Sequence, residues 1–174
     1  MIGARLAALL GVALAVSEGC AGRAVVRDPL VAAARGQLGA PVTDEEGFVA
    51  GLLAGAGRLP LGSAGPRDAG WLHALAEAEH RLTGAPRPGE VVFFAQSVRP
   101  LAAGLIEKVE GERLTFVHAA RGRIRRGVCD LAHPGARRDR RGRVVNSYLL
   151  PRRDDDLPGT RYLCGELVLG YARF

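Results

Sequence analysis

The spacing of apolar residues changes from a helical period to a strand period near Glu90, and this change constrains the fold more than any other feature of the sequence. Before it, apolar residues recur at helical spacing in three stretches, which begin near Pro29, Thr43 and Trp71. After it come short apolar runs separated by turn residues, a pattern typical of antiparallel strands. Helices followed by antiparallel strands predict an α+β fold.

The three helical stretches have recognisable boundaries. Pro29 begins the first, and Pro41 interrupts the chain after it. Thr43 and Glu46 have the spacing of a capping box, which predicts the start of the second helix. The third helix is expected over residues 71–82, and a proline-rich turn follows it.

Five strands are expected in the second half of the chain, over residues 91–94, 103–109, 114–119, 124–131 and 167–174. Glu110-Gly111 and Arg121-Gly122 are turn sequences that would join the middle strands as hairpins. Residues 133–158 are polar and lack apolar periodicity, so we expect a long excursion over the surface.

The first residues of the chain have the pattern of an export signal. Arg5 precedes an apolar run over residues 6–16, and small residues follow the run. As a helix, this run covers about half of a hydrocarbon core of roughly 30 Å, so it is too short for a stable transmembrane anchor. The sequence therefore predicts a signal peptide over residues 1–19, a tether over residues 20–28 and one domain over residues 29–174.

Cys20 is a candidate for lipidation. It directly follows Ser17-Glu18-Gly19, which resembles a bacterial lipoprotein cleavage site. Lipidation would anchor the protein to a membrane in the periplasm or at the outer membrane, whereas ordinary signal-peptidase cleavage would give a secreted protein. Lipidation would also leave Cys129 and Cys164 as an even pair. Two interpretations of that pair are open, a disulfide in an oxidising compartment or two buried thiols.

The net charge of +6 comes almost wholly from arginine, because Lys108 is the only lysine. Nine arginines fall in one short span: Arg121, Arg123, Arg125, Arg126, Arg137, Arg138, Arg140, Arg141 and Arg143. This span predicts either attraction to anionic envelope polymers or lipid head groups, or a solvated surface. Nucleic acid is not an expected partner, because no aromatic residue lies between Phe116 and Tyr148 to stack on bases.

Six segments occur in the order seen in NlpC-type peptidoglycan endopeptidases, and the chain resembles that family over about residues 30–128. The segments are residues 34–41, Asp44-x-x-Gly47-Phe48-Val49, Arg58-Leu59-Pro60, Pro88-Gly89-Glu90-Val91-Val92-Phe93-Phe94, Gly104-Leu105-Ile106 and Thr115-Phe116-Val117-His118-Ala119. The resemblance implies a papain-like fold, with N-terminal helices packed on an antiparallel sheet.

The resemblance also implies that the catalytic pair is lost. It places Glu45 at the position of the family's nucleophilic cysteine and Ala102 at that of its base histidine, and only the third polar position is kept, as His118. A carboxylate is a far weaker nucleophile toward an amide than a thiolate is. We expect Glu45 to act structurally, either as an anion in the first turn of the second helix or as a partner of His118.

These observations predict an exported, lipid-anchored envelope protein that binds or scaffolds at the peptidoglycan, or binds an envelope protein, without a cofactor or metal. The alternative is an active wall peptide hydrolase or acyltransferase with a rearranged site, for which Cys129 is the candidate thiol. His73, Glu77 and His80 have the spacing of one helical face, which we interpret as a solvated polar face and not as a metal site.

Overall fold

The structure of the protein, a computed structural model, describes residues 28–60 and 67–174. Its helices are α1 (Pro29–Gly36), α2 (Phe48–Gly55), α3 (Ala69–Ala78) and α4 (Cys164–Leu167). Its strands are β1 (Leu82–Thr83), β2 (Val91–Ala95), β3 (Pro100–Glu110), β4 (Arg113–Ala120), β5 (Arg123–Asp130) and β6 (Val168–Ala172). They form one six-stranded sheet in the order β1-β6-β2-β3-β4-β5, and the strand pairs are antiparallel. The predicted α+β class with an antiparallel sheet is confirmed.

The sheet has an apolar core on each face. Side chains of a strand alternate between the two faces, and in β2 Val91 and Phe93 belong to one cluster of buried residues while Val92 and Phe94 belong to the other. The first cluster contains the buried residues of α1 and α2, together with Leu72 and Ala76 of α3. The second contains Cys164 and Leu167 of α4. The helices α1, α2 and α3 therefore cover one face of the sheet. The later part of the chain, with α4, covers the other.

The start of α2 differs from the prediction. The expected capping box of Thr43 and Glu46 is wrong, because α2 begins only at Phe48 and none of the described side chains caps it. Asp44 instead accepts a hydrogen bond from the Gly47 N–H, at 2.8 Å. This short side chain closes a turn ahead of the helix, which moves Thr43 too far from the first helical turn to cap it.

The third helix ends earlier than predicted, at Ala78 and not at Leu82. His80 adopts a left-handed backbone conformation, with φ of 54°, and the Arg81 N–H donates to the Ala76 carbonyl at 2.8 Å. This arrangement is a Schellman motif, which terminates a helix. Leu82 then pairs with Ala172 as part of β1, a strand that the sequence did not predict. The short helix α4 was not predicted either.

The hairpin between β4 and β5 follows the prediction. Arg121 and Gly122 both have positive φ, at 54° and 69°. Positive φ at both central residues is typical of the type I′ turn, whose twist matches that of the flanking strands. The turn fixes the register in which His118 of β4 faces Arg125 of β5.

The predicted excursion is confirmed, and a buried side chain within it bonds to its backbone. Residues 131–163, all of which the structure describes, contain no helix or named strand. The fully buried Asn146 donates hydrogen bonds to the carbonyls of His133 and Ala136 and accepts one from the Asp130 N–H, at distances of 2.8 to 2.9 Å. One amide side chain thus satisfies three backbone groups of this segment and of the end of β5.

The predicted signal peptide, most of the tether and Cys20 lie outside the described residues. Within residues 28–60 and 67–174, no helix is long and apolar enough to cross a membrane.

Phe116 occupies the space left by two glycines on neighbouring strands. A Cβ atom built on Gly104 or on Gly127 would come within about 2.6 Å of the Phe116 ring. The ring is fully buried and packs on Phe94, with 5.0 Å between ring centroids. The absence of a side chain at both glycines therefore allows the Phe116 ring to pack closely in the second core.

We expect Gly104→Ala and Gly127→Ala each to lower the free energy of unfolding by about 1 to 3 kcal/mol, because overpacking forces the ring from its position. Gly170→Ala in β6 is the matched control, since its Cβ would meet no described atom within 4 Å, and it should change stability by about 0.5 kcal/mol or less. Urea unfolding measures all three. Equal effects at the three sites would contradict this account of Phe116.

Candidate functional site

The three positions singled out by the resemblance lie in one groove. Glu45, Ala102 and His118 all line a cavity of about 490 Å³. The other residues that line it are Glu46, Asp68, Ala69, Gly70, Pro100, Leu101, Ala103, Ala119, Ala120, Arg121 and residues 148–151. Sequence positions 45, 102 and 118 are far apart in the chain, so their convergence is a result of the fold.

Three parts of the fold form the walls of this groove. The turn before α2 contributes Glu45, and the start of α3 contributes Asp68, whose carboxylate caps that helix by accepting from the Trp71 N–H at 2.7 Å. The start of β3 and the end of β4 form the second wall. Residues 148–151 of the excursion form the third.

Glu45 does not lie where the sequence placed it. It is exposed and precedes the first residue of α2, Phe48, by three positions, so it is not part of the first helical turn. Its carboxylate accepts a hydrogen bond from the Gly122 N–H in the β4–β5 turn. In the described part of the chain it makes no ion pair with His118, although its charge weakly favours the protonated form of that imidazole. Glu45 therefore joins the helical layer to the sheet.

His118 is a buried, neutral base at this end of the groove. Its exposed fraction is 5%, and its ring lies 5.1 Å from that of Phe116. Burial, followed by the positive charge of Arg125, lowers the pKa of His118 to about 4, whereas the Ala119 backbone and Glu45 act in the opposite direction. At neutral pH the imidazole is uncharged and cannot act as a cationic partner of a thiolate or carboxylate.

The groove offers no ordinary nucleophile. Ala102 and Ala103 present only methyl groups at the predicted base position. Among the described residues that line the groove, the side chains with an ionisable or hydroxyl group are Glu45, Glu46, Asp68, His118, Arg121 and Tyr148. Thiol, aliphatic hydroxyl and amine nucleophiles are absent from this set. The potential nucleophiles among the described lining side chains are carboxylates, one imidazole and one phenol.

Cys129 and Cys164 are buried away from the groove. Neither forms a disulfide among the described residues, so the structure has the second of the two predicted states, a pair of buried thiols. A hydrogen bond with Cys164 and then burial raise the pKa of the Cys129 thiol far above its ordinary value. Reactive cysteines have the opposite environment, exposed and electropositive. The folded structure therefore gives no support to Cys129 as a replacement nucleophile.

The side chains considered as a metal site do not converge. His73 Nδ1 lies 3.5 Å from Glu77 Oε2, and the His73 ring packs edge-on against Phe93. His80 follows the end of α3 in a left-handed conformation, so it does not continue the helical face. Among residues 28–60 and 67–174, no group of three or more His, Cys, Asp or Glu side chains could hold a metal ion.

Many of the clustered arginines hold the chain together. Arg123 and Arg125 donate to the carbonyls of Gly39 and Ala120. Arg126 forms a salt bridge with Glu107, at 2.7 Å, and Arg143 one with Asp139, at 2.8 Å. Arg137 donates to the Asn146 carbonyl and lies over the ring of Tyr148. Half or more of this basic span thus has an internal structural use.

Sequence reasoning missed the third wall of the groove, residues 148–151. They belong to the excursion, which lies beyond the segment that resembles the family. The one signal in the sequence was the apolar pair Leu149-Leu150 within an otherwise polar stretch. Both residues pack against the second core, which brings the preceding Tyr148 to the groove.

The low pKa of His118 makes stability depend on pH. Between the unfolded value of 6.5 and the folded value of about 4, the unfolded chain binds more protons, so this contribution to stability is lost as pH falls through that window. We expect the wild type to lose about 2 kcal/mol more than His118→Gln between about pH 7.5 and pH 4.5, measured by urea unfolding. Parallel pH profiles for the two proteins would show that His118 is not buried in its neutral form.

No family model, curated protein or solved structure matches this chain.

Proposed function

We propose that this protein is an exported, lipid-anchored component of the bacterial cell envelope whose domain has a papain-like, NlpC-like fold without the catalytic pair. The domain binds peptide-bearing wall polymer, peptidoglycan, through the groove of Glu45, Ala102 and His118. The observation that carries the proposal is the convergence of these three positions on one cavity. The order of motifs in the sequence singles out these three positions, which are far apart in the chain.

The arrangement of elements also supports the proposal. The helix α2, which begins just after the Glu45 turn, packs on one face of the sheet, whereas Ala102 of β3 packs against the cluster on the other face. The Glu45 turn, Ala102 and His118 meet at the ends of β3 and β4, where they line the groove. The resemblance implies a nucleophile position just before a helix and a base position on the sheet, and this meeting of the three positions supports it. The buried, neutral His118 fits the third polar position, which in such a site needs to orient a neighbour and not to transfer a proton itself.

The chemistry of the groove favours binding over hydrolysis. Glu45 is exposed and already bonded to the Gly122 N–H, and Ala102 provides no proton acceptor. Cleavage of an amide needs both an activated nucleophile and a base. An active hydrolase with a rearranged site remains the alternative class, but its candidate thiol, Cys129, is fully buried and does not line the groove.

A pull-down on purified, insoluble peptidoglycan tests the proposed ligand and the proposed site together. We expect residues 20–174 to sediment with the polymer and Ala102→Arg to weaken binding at least tenfold, about 1.4 kcal/mol, because the long side chain would fill the groove. Ala85→Arg is the matched control: it adds the same charge at an exposed turn that does not line the groove.

The outcomes of this pull-down are distinct. Binding that Ala102→Arg and Ala85→Arg weaken equally would show attraction by charge and not recognition in the groove. Equal binding by all three proteins would place the ligand site elsewhere on the surface. Failure of the wild type to sediment would remove peptidoglycan as the ligand and leave an envelope protein as the partner.

A second experiment tests the inherited geometry. In a Cys20→Ser background, Glu45→Cys alone should give a thiol of ordinary reactivity, while Glu45→Cys combined with Ala102→His should give a thiol that reacts with iodoacetamide markedly faster near pH 6. The reason is that a neighbouring imidazolium lowers the pKa of a thiol. The rate of alkylation at a range of pH values measures this. Identical pH profiles for the single and double variants would contradict a family-like placement of positions 45 and 102.

A further inference from the structure

Cys129 and Cys164 meet in the second core although they come from opposite ends of the excursion. Cys129 lies in β5, opposite Leu114 of β4. Cys164 is the first residue of α4. Both side chains are fully buried in the same apolar cluster. Residues 131–163 lie between the two cysteines. A bond between the two sulfur atoms would therefore close this segment into a loop.

The two thiols lie in one buried cluster, and the backbone around them is fixed. The Cys164 Sγ donates to the carbonyl of Val128, the residue directly before Cys129, at 2.8 Å. The Ser147 N–H donates to the same Val128 carbonyl at 2.8 Å, and the Cys164 N–H donates to the Ser147 carbonyl at 2.9 Å. These bonds hold Cys164 beside the part of β5 that carries Cys129 before any covalent bond exists.

We propose that Cys129 and Cys164 are a disulfide-forming pair that covalently closes the excursion when the protein meets a disulfide oxidant, either a protein disulfide or glutathione disulfide. An even pair of cysteines in an exported chain fits such an oxidant. The neighbouring pair in the structure is the reduced state of this site. The inference rests on the export that is part of the proposed function, and it does not depend on what the groove binds.

The reaction balances as a double thiol–disulfide exchange. The thiolate of one cysteine attacks a sulfur of the oxidant, its S–S bond breaks, and one thiolate leaves while a mixed disulfide forms. The thiolate of the other cysteine then attacks the sulfur of the first, which releases the second thiolate. The two leaving thiolates take up the two protons lost by Cys129 and Cys164. The protein loses two electrons and two protons, and the oxidant is reduced to two thiols.

The folded protein should react slowly, because exchange needs an exposed thiolate. Both thiols are buried, and the pKa of the Cys129 thiol is raised by its hydrogen bond with Cys164 and by burial. Oxidation therefore takes place during folding, or when the excursion opens from β5. An exported chain would therefore meet the oxidant before its second core has folded.

A disulfide here would fix the third wall of the groove. Residues 148–151 lie within the closed loop and line that wall. In the reduced protein the loop is attached to β5 by polar contacts such as those of Asn146 and Ser147 and by the packing of Leu149 and Leu150 on the second core. A covalent link removes loop-closure entropy from the unfolded chain and opposes local opening of this segment.

The test uses the full chain carrying Cys20→Ser, produced in reduced form and incubated with glutathione disulfide. We expect slow formation of a Cys129–Cys164 cross-link in native buffer and faster formation in sub-denaturing urea, detected by peptide mapping and by the loss of two hydrogen atoms in mass. The oxidised protein should melt about 6 to 12 °C above the reduced one. Proteolysis between residues 131 and 163 should slow in parallel.

Cys129→Ser and Cys164→Ser are the matched controls, and each should abolish both the mass change and the rise in Tm under oxidant. Stable mixed disulfides with glutathione in place of the cross-link would overturn the proposal. So would a cross-linked protein that melts at or below the temperature of the reduced protein, because that result would mean that the native core holds the two sulfurs in positions that the bond distorts.

Discussion

A sheet that is apolar on both faces is the constraint from which the rest of the structure follows. All five residues of β2 are buried, so this strand needs cover on each side, and each cover has to come from a different part of the chain. The first three helices are short, with eight, eight and ten residues, and they cover one face. The irregular excursion and α4 cover the other. The groove lies where both covers meet the ends of β3 and β4.

Buried polar groups fix each cover to the sheet. On the helical side, Glu107 bridges Arg35 of α1 and Arg126 of β5, at 2.5 and 2.7 Å. Burial alone would raise the pKa of Glu107, but hydrogen bonds from Arg126 and Arg35 outweigh it, and the pKa lies below its ordinary value. On the other side, Asn146 has the corresponding role. Backbone hydrogen bonds with residues 39–42 and with Ser147, together with the bond from the Asp130 N–H to the Asn146 side chain, also cover the outer edge of β5, which limits pairing with another chain.

Local chemistry explains which parts of this fold the sequence could predict. The Arg121-Gly122 hairpin and the β2 run were predictable, because turn type and apolar alternation act over a few residues. The end of α3 was not, because His80 carries none of the usual signals of a left-handed residue. β1 is only two residues long and exists through its pairing with β6. The groove was predictable in its positions 45, 102 and 118 only from motif order, and its third wall depends on tertiary packing of Leu149 and Leu150.

The walls of the groove are stabilised by interactions within the fold. Asp68 lines the cavity and also caps α3. Glu45 lines it and bonds to the β4–β5 turn. His118 is held neutral within the packing around Phe116. Each of these side chains contributes to the folding free energy, so the cavity is maintained by the same interactions as the fold. Under the function proposed above, such a groove would keep its shape and its capacity to bind a ligand without a nucleophile.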